Sequence, residues 1–366
     1  MASNAPISFA RGAPSLDIID AEGLSEAAQR AFANDPGGSF AYGTSVGYVP
    51  LREWIAEQHE VDPGQVLVTN GSMQADAFLF ELLVKPGDAV VVESPTYDRT
   101  LLNLRQRGAE IHPVALETDG IDVDALEALL ESGVDVKLAH IIPNFQNPAG
   151  YTLSAEKRAR LLALAAEHDF VLFEDDPYIA IRFEGEGLPT MRSQDEAGKV
   201  VYASSFSKTL CPGIRCGYLV GPQALIDQVK SLATNTYISP NMVAQSIVNE
   251  FCRSGRVDDS IATVKAALRE RRDALVTALE RELPEARFTP PQGGYFMWVE
   301  LPEGTAVAEL EAAAKERGVV FVKGTDFLVE GGENTLRLAY SGVTPDEVDE
   351  GITRLAEAYR SLGVAA

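Results

Sequence analysis

The sequence predicts an α/β fold in two parts: a large domain built on a mostly parallel, doubly wound sheet, and a smaller α+β domain. Three observations support this prediction. From residue 66 onward, short β-branched runs alternate with helical stretches, the order that produces parallel strands covered by helices. After about residue 255 this alternation stops. The length of 366 residues also exceeds what one hydrophobic core usually supports.

The predicted strands of the large domain are short apolar runs. They are VLVT (66–69), AVVVE (89–93), VKLAHII (136–142), FVLFE (170–174), VVYAS (200–204) and CGYLV (216–220). Between them, apolar residues recur at helical spacing, as with Leu161, Leu164 and Ala165, in a segment that Ser154 can cap. We therefore expect helices to cover the sheet.

The second domain is predicted to open with a long charged helix over 257–282. Predicted strands follow at YFMWVEL (295–301), VVFV (319–322) and TLRLAYS (335–341). Thr344 and Glu347 form a capping box, with Pro345 at the first helical position, and this predicts the start of the last helix. We predict three segments: an amino-terminal arm (1–40) that contributes to the small domain, the large domain (41–255) and the small carboxy-terminal domain (256–366).

Composition argues against several kinds of partner. The chain has 54 Asp and Glu against 31 Lys and Arg, and its net charge of -23 repels nucleic acid and anionic membrane surfaces. The first residues do not resemble a signal peptide, and no apolar run approaches the ~20 residues that span a bilayer. The three cysteines and four histidines lack metal-ligand spacing. We expect a cytoplasmic protein with reduced thiols, no metal, and histidines at the surface or in packing.

The candidate functional residues follow the strands directly, where ligands bind in open α/β sheets. The relevant loops are NGSMQ (70–74), PNFQNPAG (143–150), DDPY (175–178) and SFSK (205–208), the last with Arg215 seven residues on. The first could hold a phosphate on backbone N–H groups at a helix start, or be an ordinary helix start with a serine cap. Taken singly, the others could be a proline-rich turn, a solvated acidic loop and a surface ammonium.

Together these loops resemble the fold-type I pyridoxal-phosphate enzymes, specifically the class I/II aminotransferases close to 2-aminoadipate aminotransferase and the effector domain of MocR-type regulators. The resemblance covers nearly the whole chain. In the family order, it includes YGTSVGYVPLRE (42–53), NGSMQA (70–75), SPTYDR (94–99), PNFQNPAGYTLS (143–154), EDDPY (174–178), SFSKTLCPGIRCGY (205–218), PQGGYFMWVELP (291–302) and NTLRLAYSG (334–342). It implies pyridoxal 5′-phosphate as cofactor and transfer of an amino group from an L-amino acid to a 2-oxo acid, most often 2-oxoglutarate.

The resemblance also implies catalytic roles. Lys208 matches the lysine that holds the cofactor as a Schiff base and then shuttles the proton between the substrate Cα and the cofactor C4′. Asp175 matches the carboxylate that pairs with the pyridine nitrogen and keeps the ring an electron sink. Tyr97 matches the aromatic that stacks on the ring. Asn147 and Tyr178 match the groups that hydrogen-bond the phenolic oxygen.

Further matches concern the phosphate and the substrate. Residues from two loops match the groups that bind the cofactor phosphate in the family. They are Gly71, Ser72, Met73 through its backbone N–H, Ser205, Ser207 and Arg215. Tyr42 matches a tyrosine that reaches the cofactor phosphate of the neighbouring subunit, so we expect a homodimer with shared active sites. Arg337 matches the arginine that binds the substrate α-carboxylate. Gly12, Asn147 and Tyr42 also fall where the family contacts its substrate.

Three positions depart from the family pattern. Arg11 stands where relatives often have Gly, and Lys323 replaces a frequent Pro. Either cation could reach the substrate side chain, or be an ordinary exposed charge. Met73 replaces a frequent Gln, which matters little if only its backbone contacts phosphate.

Two alternatives to transamination stay open. Pyridoxal chemistry also supports β-elimination and decarboxylation, so a β-lyase or decarboxylase is the enzymatic alternative. The other is a non-catalytic cofactor-binding sensor domain of the MocR type. Only 41 residues precede Tyr42, they match the aminotransferase arm and not a winged helix, and the acidic charge opposes DNA binding.

Overall fold

The structure is a computed structural model that describes residues 6–363. Its strands are β1 (Ile7–Ser8), β2 (Val66–Thr69), β3 (Ala89–Ser94), β4 (Glu110–Glu117), β5 (Gly120–Ile121), β6 (Val136–Ile141), β7 (Val171–Asp175), β8 (Val200–Ser205), β9 (Gly217–Val220), β10 (Arg287–Phe288), β11 (Phe296–Glu300), β12 (Val319–Val320), β13 (Val322–Lys323) and β14 (Thr335–Ala339).

Its α-helices are α1 (Ala21–Asn34), α2 (Pro36–Phe40), α3 (Val49–His59), α4 (Ser72–Leu83), α5 (Asp98–Gln106), α6 (Val123–Glu131), α7 (Ala155–His168), α8 (Met191–Gln194), α9 (Gln223–Tyr237), α10 (Met242–Arg253), α11 (Arg256–Glu282), α12 (Val307–Glu316) and α13 (Pro345–Ser361). Short 3-10 helices lie at Leu16–Ile18, Pro63–Gln65, Ile179–Ile181, Pro212–Ile214 and Gly324–Phe327.

The large sheet has the strand order β2-β9-β8-β7-β6-β3-β4-β5. Strands β4, β3, β6, β7 and β8 are parallel to one another, whereas β9 is antiparallel to β8 and β2, and β5 is antiparallel to β4. This architecture confirms the predicted α/β fold. Strands β4 and β5 were not predicted, because β4 lies near the edge of the sheet and most of its residues are not buried. Such a strand lacks the continuous apolar run that marks a central parallel strand.

Helices cover both faces of this sheet, as predicted. On one face, Phe78 of α4 and Val229 of α9 pack with Val201 and Ala203 of β8. On the other, apolar residues of α7 pack with Leu172 of β7. The Ser154 side chain accepts a hydrogen bond from the backbone N–H of Lys157 and caps α7, as its position predicted. Packing between the helices and buried strands fixes where each strand ends, and therefore where the loops with functional residues meet.

The carboxy-terminal part forms an antiparallel sheet of order β10-β11-β14-β13 that packs with α11, α12 and α13. Helix α11 confirms the predicted long helix, and the capping box of Thr344 and Glu347 is present at the start of α13. The predicted single strand VVFV is wrong. It divides at buried Phe321 into β12 and β13, which pair with β1 and β14 respectively, so the chain changes sheets at that residue.

The parallel pairing of Ile7 with Val319 attaches the amino-terminal arm to the carboxy-terminal part of the chain. Ile7 and Phe9 are buried in the same core as the residues of β11 and β14. The arm thus packs with the carboxy-terminal part of the chain, while its assignment to the small domain and the three domain limits stay predictions. Within residues 6–363, no helix is long and apolar enough to cross a membrane, and no cluster of His, Cys, Asp and Glu could hold a metal ion.

Candidate active site

A cavity of about 150 Å³ lies at the carboxyl ends of β6, β7 and β8, next to the start of α4. This is where a doubly wound sheet places its ligands. The cavity brings together the predicted cofactor contacts other than Gly71 and Tyr42, along with three residues that were not predicted. Its lining is Ser72, Met73, Asp76, Tyr97, Ile142, Asn147, Asp175, Pro177, Tyr178, Ser205, Ser207, Lys208 and Arg215.

One end of the cavity is built to hold an anion. Helix α4 begins at Ser72, so its first backbone N–H groups and its dipole favour negative charge there. The Arg215 Nη1 donates to Ser207 Oγ at 3.1 Å, and the Ser207 backbone N–H donates to Ser205 Oγ at 3.1 Å. A guanidinium, hydroxyls and a helix start are the groups that hold a phosphate.

Gly71 is required by the geometry of this end. Its φ of 87° lies in the left-handed region that side chains disfavour. A Cβ atom there would also lie 2.2 Å from Arg215 Nη2. Gly71 does not line the cavity itself, and instead leaves room for the guanidinium beside the first turn of α4.

Lys208 is the only lysine in the lining of this cavity, within the part of the chain that the structure describes. Its Nζ donates to the carbonyl oxygen of Gly12 at 2.6 Å and lies 5.6 Å and 5.3 Å from the ring centroids of Tyr178 and Tyr295. Burial, and then the nearby positive charges of Arg337 and Arg215, lower the pKa of Lys208 to about 8. About a tenth of the amine is therefore neutral at pH 7, and the neutral amine is the nucleophilic form.

Asp175 is the last residue of β7, and one of its carboxylate oxygens is of particular interest. Its Oδ1 is buried and has no hydrogen-bond partner among the described residues. A buried carboxylate oxygen without a donor is costly, so this atom fits a cationic N–H donor in a ligand. The pyridinium N–H of pyridoxal phosphate is such a donor. The lysine, the anion-binding end and this carboxylate together fit that cofactor.

His140 is a site residue that the sequence did not reveal. It was predicted to lie at the surface or in packing, and it is fully buried on β6, against the rings of Phe80 and Phe173. Its Nε2 also lies 3.4 Å from Asp175 Oδ2, although no hydrogen bond joins them and both ring nitrogens lack partners among the described residues. A histidine among the apolar residues Leu138, Ala139 and Ile141 of β6 was the available signal.

Asp76 is a second residue that was not predicted. It lies one turn into α4, lines the cavity and is 3% exposed, and its Oδ1 has no partner among the described residues. Burial, and then the nearby charge of Asp175, hold the pKa of Asp76 well above its usual range. The cavity thus contains one carboxyl group that favours its protonated form beside Asp175.

The aromatic and amide groups stand beside the lysine. Tyr97 donates its hydroxyl hydrogen to Met73 Sδ at 3.6 Å, so the Met73 side chain contacts the site, which its predicted backbone role did not require. Burial raises the pKa of Tyr178 well above its usual value, and its hydroxyl can therefore donate. Asn147 Oδ1 accepts a hydrogen bond from Arg337 Nη1 at 2.9 Å.

Arg337 lies just outside the cavity lining, in the middle of β14, and is 6% exposed. Its Nη2 donates to the carbonyl oxygen of Ala10 at 2.6 Å, and its guanidinium lies 4.3 Å and 4.7 Å from the ring centroids of Phe296 and Phe327. Its Nε has no partner among the described residues. A planar guanidinium with a free donor suits a carboxylate ligand.

Gly12 contacts a residue of this cavity, whereas Tyr42 lies elsewhere on the surface. A Cβ atom on Gly12 would lie 2.2 Å from the Phe296 ring, so only glycine permits the contact of its carbonyl with Lys208. Tyr42 is 89% exposed and lines a separate surface depression with residues 239–243. Within a single chain, Tyr42 is therefore not part of the cavity.

Lys323 and Arg11, the two cations that depart from the family pattern, differ in their contacts. Lys323 Nζ lies 3.0 Å from Glu311 Oε2 and is 28% exposed, which makes it half of a surface ion pair. Arg11 is exposed, and its side chain makes no hydrogen bond or ion pair with residues 6–363.

A larger cavity of about 710 Å³ adjoins the first through Pro177 and Ser205. It is walled by rings such as Trp54, Tyr202 and Phe206. Its lining includes no lysine. The smaller cavity combines an amine, a phosphate-type cradle and a carboxylate oxygen that has no partner within residues 6–363, so it is the candidate active site.

The fold and this site define a fold-type I enzyme dependent on pyridoxal 5′-phosphate. The family model of aminotransferase class I and II matches residues 5–355. The chain is 34% identical over 363 residues to aromatic-amino-acid aminotransferase 1 of Thermococcus litoralis, covering 96% of this chain and 87% of that protein. It is 36% identical over 362 residues to 2-aminoadipate transaminase of Thermus thermophilus, covering 97% and 90%.

A solved structure also resembles the chain over its whole length. The kynurenine aminotransferase of Pyrococcus horikoshii, in complex with PMP, superposes with a TM-score of 0.94 at 32% identity and covers 100% of this chain and 93% of that one. The chain therefore belongs to the class I and II aminotransferases. It is a pyridoxal-phosphate-dependent transaminase.

Proposed function

We propose that the protein moves the amino group of an L-amino acid to 2-oxoglutarate in two half-reactions that use one site. The observation that carries this proposal is the buried Lys208 amine, with its lowered pKa, in the same cavity as the unpartnered oxygen of Asp175. Pyridoxal 5′-phosphate, when bound, supplies an aldehyde for the amino group and a ring that withdraws electrons from the substrate Cα.

Lys208 would hold the cofactor through its amine and would move a proton between the substrate Cα and the cofactor C4′. Its lowered pKa makes both tasks feasible near neutral pH. Asp175 would hold the proton of the pyridine nitrogen, and His140, whose Nε2 lies 3.4 Å from Asp175 Oδ2, would act as a positioning residue. Asn147 and Tyr178 would orient the ring through its phenolic oxygen, and Tyr97 would pack on it; all three line the cavity.

The phosphate and the substrate carboxylate are held by separate cations. Ser72, Ser205, Ser207 and Arg215 line the cavity at the start of α4 and would bind the phosphate there, while Gly71 leaves room for Arg215. Arg337 binds the α-carboxylate with its guanidinium fork and thereby points Cα at Lys208. Gly12 brings its backbone next to the substrate, where its carbonyl oxygen contacts Lys208 Nζ.

We also propose a homodimer in which Tyr42 completes the site of the partner subunit. The depression formed by residues 39–42 and 239–243 supports this. Phe40, Tyr42 and Ile238 are 62%, 89% and 63% exposed around it. Large apolar side chains gathered on one exposed surface are typical of an interface.

We further propose that the protein acts in the cytoplasm without a nucleic-acid partner. Its three cysteines are all free, which suits a reducing compartment. The net charge of -23 opposes contact with phosphate backbones.

A donor screen with 2-oxoglutarate as acceptor tests the proposed function. We expect one glutamate for each 2-oxo acid formed from the preferred donor. Release of ammonia or carbon dioxide in place of glutamate would indicate a β-lyase or a decarboxylase. Binding of donors with no product would indicate a sensor domain.

A further inference from the structure

Arg11 lies between two residues whose carbonyl groups contact the two main cations of the site. The carbonyl oxygen of Ala10 accepts from Arg337 Nη2 at 2.6 Å, and that of Gly12 accepts from Lys208 Nζ at 2.6 Å. The backbone of Arg11 is therefore held where the arm passes both the residue proposed to bind the α-carboxylate and the residue proposed to move the proton. Consecutive Cα atoms are about 3.8 Å apart, so Arg11 stands at the border of the substrate position.

The Arg11 side chain is not engaged by the fold. It is exposed and makes no hydrogen bond or ion pair with any described residue. Other arginines near the arm are engaged: Arg271 donates to Ser15 Oγ and to Asp17 Oδ2, and Arg337 is held as described above. An arginine placed at the border of a site and left without a partner is free to bind an anion that arrives with the substrate.

The surroundings limit which anion this can be. The α-carboxylate is already assigned to Arg337, and the phosphate to Arg215 at the far end of the cavity. A second carboxylate, at the end of the substrate side chain, is the remaining negative group of an amino acid or 2-oxo acid. Phe296 and Phe327, which cover Arg337, provide an apolar wall for the methylene groups between the two carboxylates.

We propose that Arg11 binds the side-chain carboxylate of dicarboxylic substrates and is a specificity-determining residue of this site. This inference rests on the proposed function, because it takes Arg337 as the α-carboxylate contact. Lys323, the other unusual cation, is excluded from this role by its ion pair with Glu311, and it provides the matched control.

The test compares two unreactive ligands of equal length, glutarate and pentanoate, which differ by one carboxylate. Their dissociation constants are measured by calorimetry on the cofactor-loaded enzyme. We expect the wild type to prefer glutarate, and Arg11→Ala to reduce this preference about tenfold, since the exposed ion pair lies at the weak end of charged hydrogen bonds. Arg11→Lys should keep part of the preference, and Lys323→Ala should keep all of it.

Loss of the same factor for both ligands in Arg11→Ala, or an unchanged preference, would overturn the inference. So would an equal loss of preference in Lys323→Ala, or a wild type without a preference for glutarate. Neither ligand reacts, so the comparison does not depend on turnover. A failure of amino transfer to 2-oxoglutarate would instead contradict the proposed function.

Discussion

The Nζ atom of Lys208 lies 2.6 Å from the carbonyl oxygen of Gly12, a residue 196 positions earlier in the chain. The hydroxyl of Tyr295 donates to the Lys208 carbonyl oxygen at 2.8 Å. The loop after β8 is thus held between the amino-terminal arm and the segment before β11. A lysine anchored from both sides keeps its amine aimed into the cavity, and its contact with Gly12 must break when the amine reacts.

The lowered pKa of Lys208 predicts the pH dependence of cofactor capture. The neutral amine reacts, so the rate at which the cofactor-free protein binds pyridoxal phosphate covalently should rise with pH and level off above about 8. With a lysine of unperturbed pKa, the rate would continue to rise up to a pH of about 10.4. Stopped-flow absorbance measures this rate. Lys208→Ala is the control, and a borohydride-reducible attachment with normal turnover in that variant would show that another lysine holds the cofactor.

Asp175→Asn should retain cofactor binding but slow the proton-transfer step by a factor on the order of 100, because a neutral amide cannot keep the pyridine nitrogen protonated. Single-turnover absorbance gives the rate of each half-reaction. The neighbouring Asp176 is a matched control, since it is fully buried and accepts a hydrogen bond from Asn144 at 2.7 Å outside the cavity lining. Near-wild-type rates in Asp175→Asn with a large loss in Asp176→Asn would assign the role to Asp176.

Arg337→Lys should lower kcat/KM for every amino-acid donor by a similar factor. A lysine cannot reproduce a planar fork that also contacts Asn147 Oδ1 and the Ala10 carbonyl. Loss of one charged hydrogen bond is worth about 1.5–3 kcal/mol. Steady-state kinetics with apolar, aromatic and acidic donors measures the effect. A loss restricted to acidic donors would place Arg337 at the substrate side chain and contradict its assignment to the α-carboxylate.

Gly71→Ala should weaken binding of pyridoxal phosphate about tenfold, because the left-handed φ of 87° and the approach to Arg215 Nη2 each disfavour a Cβ atom. Fluorescence titration gives the dissociation constant. Binding of pyridoxal, which lacks the phosphate, should change less. Gly213→Ala is the control, since a Cβ atom there meets no atom within 4 Å. Equal losses for the two ligands would mean that Gly71 does not act through the phosphate site.

A mixed dimer of Tyr42→Ala and Lys208→Ala subunits tests whether sites are shared. If Tyr42 serves the partner, one site carries both substitutions and the other carries neither, so about half the wild-type activity should return. Co-expression with two affinity tags isolates this species. No recovery above the two parent variants, with the mixed dimer verified, would contradict the shared site. A fully active monomer in sedimentation would contradict it too.

Much of the fold followed from local patterns. Apolar runs such as VKLAHII predicted the central strands because those strands are buried on both faces. Strand β4 and the division at Phe321 were missed for a related reason. A strand near the edge of a sheet and a change of sheet both depend on the neighbouring strands, which a local pattern does not contain.

By itself, the sequence determined the α/β class, the long helix α11, the caps of α7 and α13, and the order of the loops from which the site residues come. Only the tertiary structure decided which of those residues meet. It placed His140 and Asp76 beside Asp175 and left Tyr42 outside the cavity. It also separated Lys323, which pairs with Glu311, from Arg11, whose side chain has no partner within residues 6–363. The physical reason is that secondary structure depends on spacing within a segment, whereas ion pairs, burial and perturbed pKa values depend on distances between segments far apart in the chain.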